Sequence, residues 1–243
     1  MKKILFLLVA LAMLSTTSAF AGFVNGGFED GNFNGWTQGG GRYTGSYSYT
    51  GDPGKSAVVG PGLDPYTANN LNMVYGGKYS ARINNYDSGY HFSTITQTVT
   101  NWQDNDIYFA WASVLQNPGH PSAGHFSLTL TDVTTSTALY TKAFDYFTAP
   151  GEVVGGWLDG ASGWKYCDWQ IVQLDTSKVV GHDLELTLLA SDCGYGGHGG
   201  YAYLDGFGAY VPPQGGGEIP EPATMVLFGL GLLGLAGVNR KRK

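Results

Sequence analysis

Aromatic side chains set in glycine-rich, polar loops are the residues of this sequence best suited to recognition chemistry. Sugar rings have apolar faces that stack on Trp and Tyr, while Asn, Gln and Asp read hydroxyls. Trp157 and Trp164 stand in a Gly-rich stretch ahead of Cys167, and Tyr195 lies in another between Cys193 and His198. These three are the candidate ligand-binding residues. Trp36 and Trp111 are expected in the core, because Trp is usually highly buried. The histidines offer less. His91, His120, His125 and His182 are scattered without metal-ligand spacing, and His198, in GGHGGY, is expected to hydrogen-bond neighbouring loop backbone. The sequence holds no HExxH, no GxSxG, no phosphate-binding P-loop and no zinc cysteine cluster. Nothing marks a carboxylate pair for glycoside hydrolysis, so a non-catalytic protein is expected.

Cys167 and Cys193 are the two cysteines. In an oxidising compartment an even pair is expected to form one disulfide. The alternative is two buried thiols.

The compartment is read from the ends of the chain. Lys2 and Lys3 precede an apolar run from Ile4 to Leu14, and Ala19-Phe20-Ala21 forms a small-x-small cleavage pattern. Residues 1–21 therefore read as a signal peptide cut by signal peptidase after Ala21. At the other end, a Pro/Gly linker over 212–219 leads to Pro220, Glu221 and Pro222. An apolar run from Ala223 to Val238 follows, and Arg240, Lys241, Arg242 and Lys243 close the chain. As a helix the run covers about 24 Å, slightly short of a hydrocarbon core, and snorkelling basic side chains make up the difference. A single transmembrane helix over 223–238, with its basic end cytoplasmic, puts the body outside.

This order of parts resembles the PEP-CTERM sorting signal of exported bacterial proteins. The resemblance covers about the last 25 residues. It implies that an exosortase recognises and removes the tail, after a transient single-pass anchorage, so that the body ends at the cell surface or in the extracellular matrix. It also implies a host that makes extracellular polysaccharide.

Between the ends lies one body, residues 22–211, long enough for a sizeable core. Six of the 13 basic residues sit in the terminal segments, which leaves the body strongly acidic. That excludes nucleic acid as a partner, since its binding needs a basic footprint. Aromatics reach 14%, charged residues only 13%, Gly is abundant, and Ser, Thr, Asn and Tyr are frequent. This is the composition of an extracellular all-β domain with many tight turns. In HFSLTLT, Phe126, Leu128 and Leu130 face one way and Ser127, Thr129 and Thr131 the other, the period of a half-buried strand. Ile107, Phe109 and Trp111 share a face in the same manner. Similar runs at 79–84, 95–100, 138–146, 169–174, 184–190 and 200–210, with a short strand before Trp36, imply about ten strands in a sandwich or barrel. Long loops at 51–78 and 147–168 are where binding residues are expected.

NGGFEDGNFNGW, GGKYSARI and AYLDGFG, in that order, resemble landmark segments of the galactose-binding-like jelly rolls, which include many carbohydrate-binding modules. The resemblance spans the start, middle and end of the body and implies a single jelly-roll β-sandwich. It also implies a structural Ca²⁺ held by Glu29 of the opening motif and Asp205 of the closing strand, with backbone carbonyls completing an oxygen shell. Gly206 stands where that family commonly has a second acid. The combined reading is an exported, non-catalytic sandwich that binds or organises extracellular carbohydrate. The rival is a structural or adhesive surface protein that contacts other proteins.

Overall fold

The computed structural model describes residues 22–148 and 153–208. The expected signal peptide, the linker and the expected transmembrane helix over 223–238 lie outside the described residues. Among the described residues no helix is long and apolar enough to cross a membrane.

Among the described residues, twelve strands form two six-stranded antiparallel sheets, joined by turns and single-turn 3₁₀ segments. In chain order they are β1 (Thr37–Tyr43), β2 (Tyr47–Tyr49), β3 (Ala57–Val59), β4 (Ser80–Ile83), β5 (His91–Val99) and β6 (Asp106–Gln116). Then come β7 (His125–Asp132), β8 (Thr137–Asp145), β9 (Leu158–Asp159), β10 (Trp164–Asp175), β11 (Leu184–Ser191) and β12 (Gly200–Gly208). The first sheet runs β2-β1-β5-β11-β7-β8 and the second β3-β4-β12-β6-β10-β9. From β4 to β7, and again from β10 to β12, consecutive strands cross from one sheet to the other.

Alternation in the sequence becomes burial in the sandwich. Along β7, buried Phe126, Leu128 and Leu130 alternate with half-buried Ser127, Thr129 and Thr131. Leu184, Leu186 and Leu188 of β11 and Ile107, Phe109 and Trp111 of β6 join them between the sheets. Trp111 stacks on Phe126 at 4.8 Å across the gap. Burying one such side chain stabilises by about 1.5–3 kcal/mol, so this layer dominates the fold.

Two features depart from the expected pattern. The segment before Trp36 contains no strand. It coils through left-handed Asn25 and Phe28 (φ 51° and 59°), and the Phe28 and Gly31 amides donate to the Asn25 and Phe28 carbonyls at 3.0 and 2.9 Å. The coil delivers Phe23, Phe28 and Trp36 to one end of the core, where Phe23 meets Phe207 edge-on at 4.4 Å. Secondly, much of the 51–78 loop is a strap rather than an open binding loop. Its Tyr66, Leu71 and Met73 cover the outward side of the second sheet, over Ala112, Val114, Tyr166, Tyr201 and Tyr203. Buried Asp64 anchors it, accepting from the Tyr201 and Tyr203 hydroxyls at 2.6 and 2.8 Å. That is why β12 is buried on both faces along almost its whole length.

Candidate functional site

Among the described residues the first sheet carries no such strap at its β2 edge. β1 reads TQGGGRY, and a Cβ added at Gly40 would fall against Gly54, or at Gly41 against the Ser48 carbonyl. Bare backbone there lets β2 and the following loop lie close. Tyr47 and Tyr49 straddle Phe92 at centroid separations of 5.0 and 4.9 Å, and Tyr43 stacks on Tyr47 at 4.7 Å. Tyr49 is 66% exposed and Tyr47 40%. Burial, outweighing a hydrogen bond with Ser191, pushes the Tyr47 phenol up to about 12, so it stays a neutral hydroxyl.

Next to this aromatic group is a hollow of about 230 Å³ lined by Arg42, Asp52, Lys55, His91 and Phe92 with bare glycine backbone. The Arg42 guanidinium lies 4.2 Å over the Tyr90 ring. Asp52 Oδ1 accepts from the Gly54 N–H at 2.8 Å. Burial first, and the Lys55 charge next, hold His91 below its ordinary pKa, which favours the neutral ring. Behind it, buried Asp192 accepts from the His91 backbone amide at 2.8 Å and from Asn84 Nδ2 at 3.0 Å. The hollow thus offers two cations, a carboxylate and an imidazole beside exposed tyrosine rings. Such a set can stack on a ring and hydrogen-bond hydroxyls or a carboxylate.

The sequence-predicted ligand residues do not share this place. Trp164 is 4% exposed, wedged between Tyr66 (4.8 Å) and Tyr201 (5.6 Å) on the strapped face, so it is core and not a platform for ligand. It starts β10, where the outward side is covered. Trp157 is half-buried and meets Phe144 edge-on at 6.3 Å. Tyr195 is 62% exposed, over the His120 ring at 4.6 Å. The expected disulfide is absent: Cys167 and Cys193 are both free and buried. Cys167 faces the inter-sheet core from β10, and burial pushes its thiol up to about 12, which makes it inert. Cys193 lies in the β11–β12 loop. Tyr49, Arg42, Asp52, Lys55 and His91 were not singled out by sequence. The available signal was the Gly-Gly-Gly of β1 followed by Tyr-x-Tyr.

Glu29 and Asp205 do converge. Asp205 Oδ2 accepts from the Tyr75 and Gly76 amides, both at 3.0 Å. The Glu29 carboxylate accepts from the Lys78 amide at 3.0 Å and, through Oε1, from the Tyr79 amide at 3.2 Å. One loop, 75–79, therefore donates its amides to both acids. A β-bulge after Asp205, with Gly206 at φ 60°, ends the regular pairing there. Burial pushes the Asp205 carboxyl up to about 8 against the pull of its amide partners, with Glu29 adding to the rise. Asp205 Oδ1 is buried with no hydrogen-bond partner among the described residues. A hard cation against that oxygen would satisfy it and favour the ionised form, so the residues present fit Ca²⁺ at this place.

Residues 218–242 match the PEP-CTERM protein-sorting motif. The motif implies an exported protein that passes through the membrane and is processed by an exosortase. No curated protein matches the chain. Among solved structures, TmCBM61 in complex with β-1,4-galactotriose is 14% identical, covering 76% of this chain and 95% of its own at a TM-score of 0.41. A non-crystalline-cellulose-specific module, CBM28, is 11% identical over 76% and 92%, at 0.38. The K1 cleaved adhesin domain of Lys-gingipain from Porphyromonas gingivalis W83 is 15% identical over 77% and 96%, at 0.37. At these values none assigns a ligand, and the sandwich rests on its own strand order.

Proposed function

We propose that this is an exported, non-catalytic jelly roll that binds extracellular carbohydrate at the β1–β2 edge of its first sheet. The observation that carries the reading is the exposed Tyr47–Tyr49 pair beside the Arg42, Asp52, Lys55 and His91 hollow. Exposed aromatic rings next to fixed hydrogen-bonding groups suit a sugar, which presents an apolar face and a hydroxyl rim. Arg42 and Lys55 in an otherwise acidic body favour glycans that carry carboxylates. The crossing of strands between sheets supports the jelly-roll assignment, and export puts the site where polysaccharide is found. The alternative, an adhesive surface contacting proteins, would use the same exposed tyrosines without the hollow.

The test is binding of the full chain to neutral and uronic-acid polysaccharides by affinity electrophoresis. Tyr49→Ala, at an exposed position, should keep the fold and weaken glycan binding about tenfold, the equivalent of about 1.4 kcal/mol. Binding should also fall with salt through Arg42 and Lys55. Unchanged binding in Tyr49→Ala, or no binding to any glycan beside capture of a protein partner, would favour the adhesive reading.

We further propose that Glu29 and Asp205 hold a structural Ca²⁺. The partnerless Asp205 Oδ1 supports it. The ion would supply charge compensation at the junction of the opening segment, the 75–79 loop and the last strand.

A further inference from the structure

Three metal-ligating side chains meet at the end of the sandwich where the β6–β7 and β11–β12 loops adjoin. They are His120, Cys193 and His198. Cys193 Sγ lies 3.7 Å from His120 Nε2 and 3.7 Å from His198 Nδ1, and all three atoms fall within 4.8 Å of one another. Zn²⁺ bonds of about 2.3 Å to sulfur and 2.0–2.1 Å to nitrogen, at tetrahedral angles, put S and N about 3.6 Å apart. The two sulfur–nitrogen separations already have that value, and small rotations of two surface-facing imidazoles close the third side. We propose that His120, Cys193 and His198 form a Zn²⁺ site with its fourth position open to solvent.

Local structure brings the three together. The Cys193 amide donates to the His198 carbonyl at 2.9 Å, and the Gly196 amide donates to the Cys193 carbonyl at 3.0 Å. The two ligands are thus partners across a tight turn through Gly-Tyr-Gly-Gly, which puts their side chains on one face. Gly196 needs its left-handed φ of 76°, and a Cβ there would strike the Tyr90 ring. His120 arrives on a stiff loop between Pro118 and Pro121, opened by an Asx turn in which the Gly119 amide donates to Asn117 Oδ1 at 3.0 Å. The Gly194 amide donates to Ser122 Oγ at 2.8 Å and locks the two loops in register.

The donor set selects the ion. One thiolate with two imidazoles is a borderline-soft set that suits Zn²⁺ and does not suit Ca²⁺ or Mg²⁺, which take oxygen. A blue-copper arrangement would add an axial Met. Met73 is the Met among the described residues, and it belongs to the strap over the outward side of the second sheet. A cysteine nucleophile would need access, but Cys193 is fully buried beneath the two rings. Ligation also accounts for a free thiol persisting in an exported protein that gives it no disulfide partner.

The full chain, reduced and stripped by chelator, should take up one Zn²⁺ equivalent. Co²⁺ in its place should give thiolate-to-cobalt charge transfer in the near ultraviolet and the visible bands of a tetrahedral ion. Losing an outer hydrogen-bond partner of a metal ligand costs about 10–100-fold in affinity, so His120→Ala, which removes a ligand, should weaken Zn²⁺ binding more than about 100-fold. Cys193→Ser should abolish the charge-transfer band. Because Cys193 is buried, its substitution tests folding as well as ligation, so His120→Ala, on a surface loop and checked by circular dichroism, keeps the test decisive. A cobalt spectrum without thiolate character, or unchanged Zn²⁺ affinity in folded His120→Ala, overturns the proposal.

Discussion

Single acids in this protein are defined by how many donors surround them. At the end of β7, Asp132 Oδ2 accepts from the Thr135 hydroxyl at 2.6 Å and lies 2.8 Å from His182 Nδ1. Burial alone would push its carboxyl up. Hydrogen bonds from Thr135 and His182 outweigh burial and hold it below the usual carboxylate range. A lowered folded pKa means that the unfolded chain takes up its proton first as pH falls. The stability this acid contributes is present above about pH 4 and lost as pH drops through its folded pKa. Asp145 and Asp175 are shifted the same way, so the acid limb is shared. The melting temperature should fall below about pH 4, with a shallower limb in Asp132→Asn than in the wild type. Identical limbs would mean that the Asp132 cluster gives no linkage. Little of this was legible in the sequence, because Asp132 and His182 meet only through the pairing of β7 with β11. Trp164 makes the same point in reverse. Its Gly-rich neighbours suggest an open loop, yet Gly160 beside it is closely packed: a Cβ there would strike the Tyr66 carbonyl and press on the Trp164 side chain.

At the scale of elements, alternation was a good guide where one face of a strand meets the core and a poor one elsewhere. β7 and β11 were read almost to their ends. β1 and β2 were not read as strands, because TQGGGRY and YSY have no apolar alternation and pair along the edge of the sheet. The two short pieces nevertheless build the proposed sugar face. The strap within 51–78 escaped too: its prolines and glycines read as a long binding loop, whereas Asp64 and Leu71 bury it. The 75–79 loop is the part of this region with the most exacting geometry. Gly77 has φ 68°, and a Cβ there would lie 2.3 Å from Glu29 Oε1. Gly77→Ala combines left-handed strain with a clash against a carboxylate engaged by two amides. It should destabilise by about 1–3 kcal/mol in denaturant unfolding. A loss under about 0.5 kcal/mol would show that Glu29 moves aside at little cost.

At the scale of the molecule, two clips would join parts remote in sequence: Ca²⁺ between the opening segment and the last strand, and Zn²⁺ between two loops at an end of the sandwich. The Glu29–Asp205 pairing was legible because both acids sit in recognisable motifs. The His120–Cys193–His198 meeting was not, since His120 lies in another loop and no local spacing announces it. The calcium clip is tested by stability. An ion that binds only the folded state stabilises by RT ln(1 + [L]/Kd), about 2.7 kcal/mol at a hundredfold excess. The melting temperature of the full chain should therefore fall on chelation and recover when Ca²⁺ is added back. Asp205→Asn keeps the shape of the side chain and an oxygen for the Tyr75 and Gly76 amides but removes the charge, so it should fold and ignore Ca²⁺. Because a chelator strips both metals, each is restored separately. Asp205→Asn should lose the Ca²⁺ response and keep that to Zn²⁺, while His120→Ala should do the converse. A wild-type melting temperature unmoved by Ca²⁺, with elemental analysis finding no calcium in the protein before chelation, would refute the clip and leave Asp205 as a carboxyl kept protonated by burial.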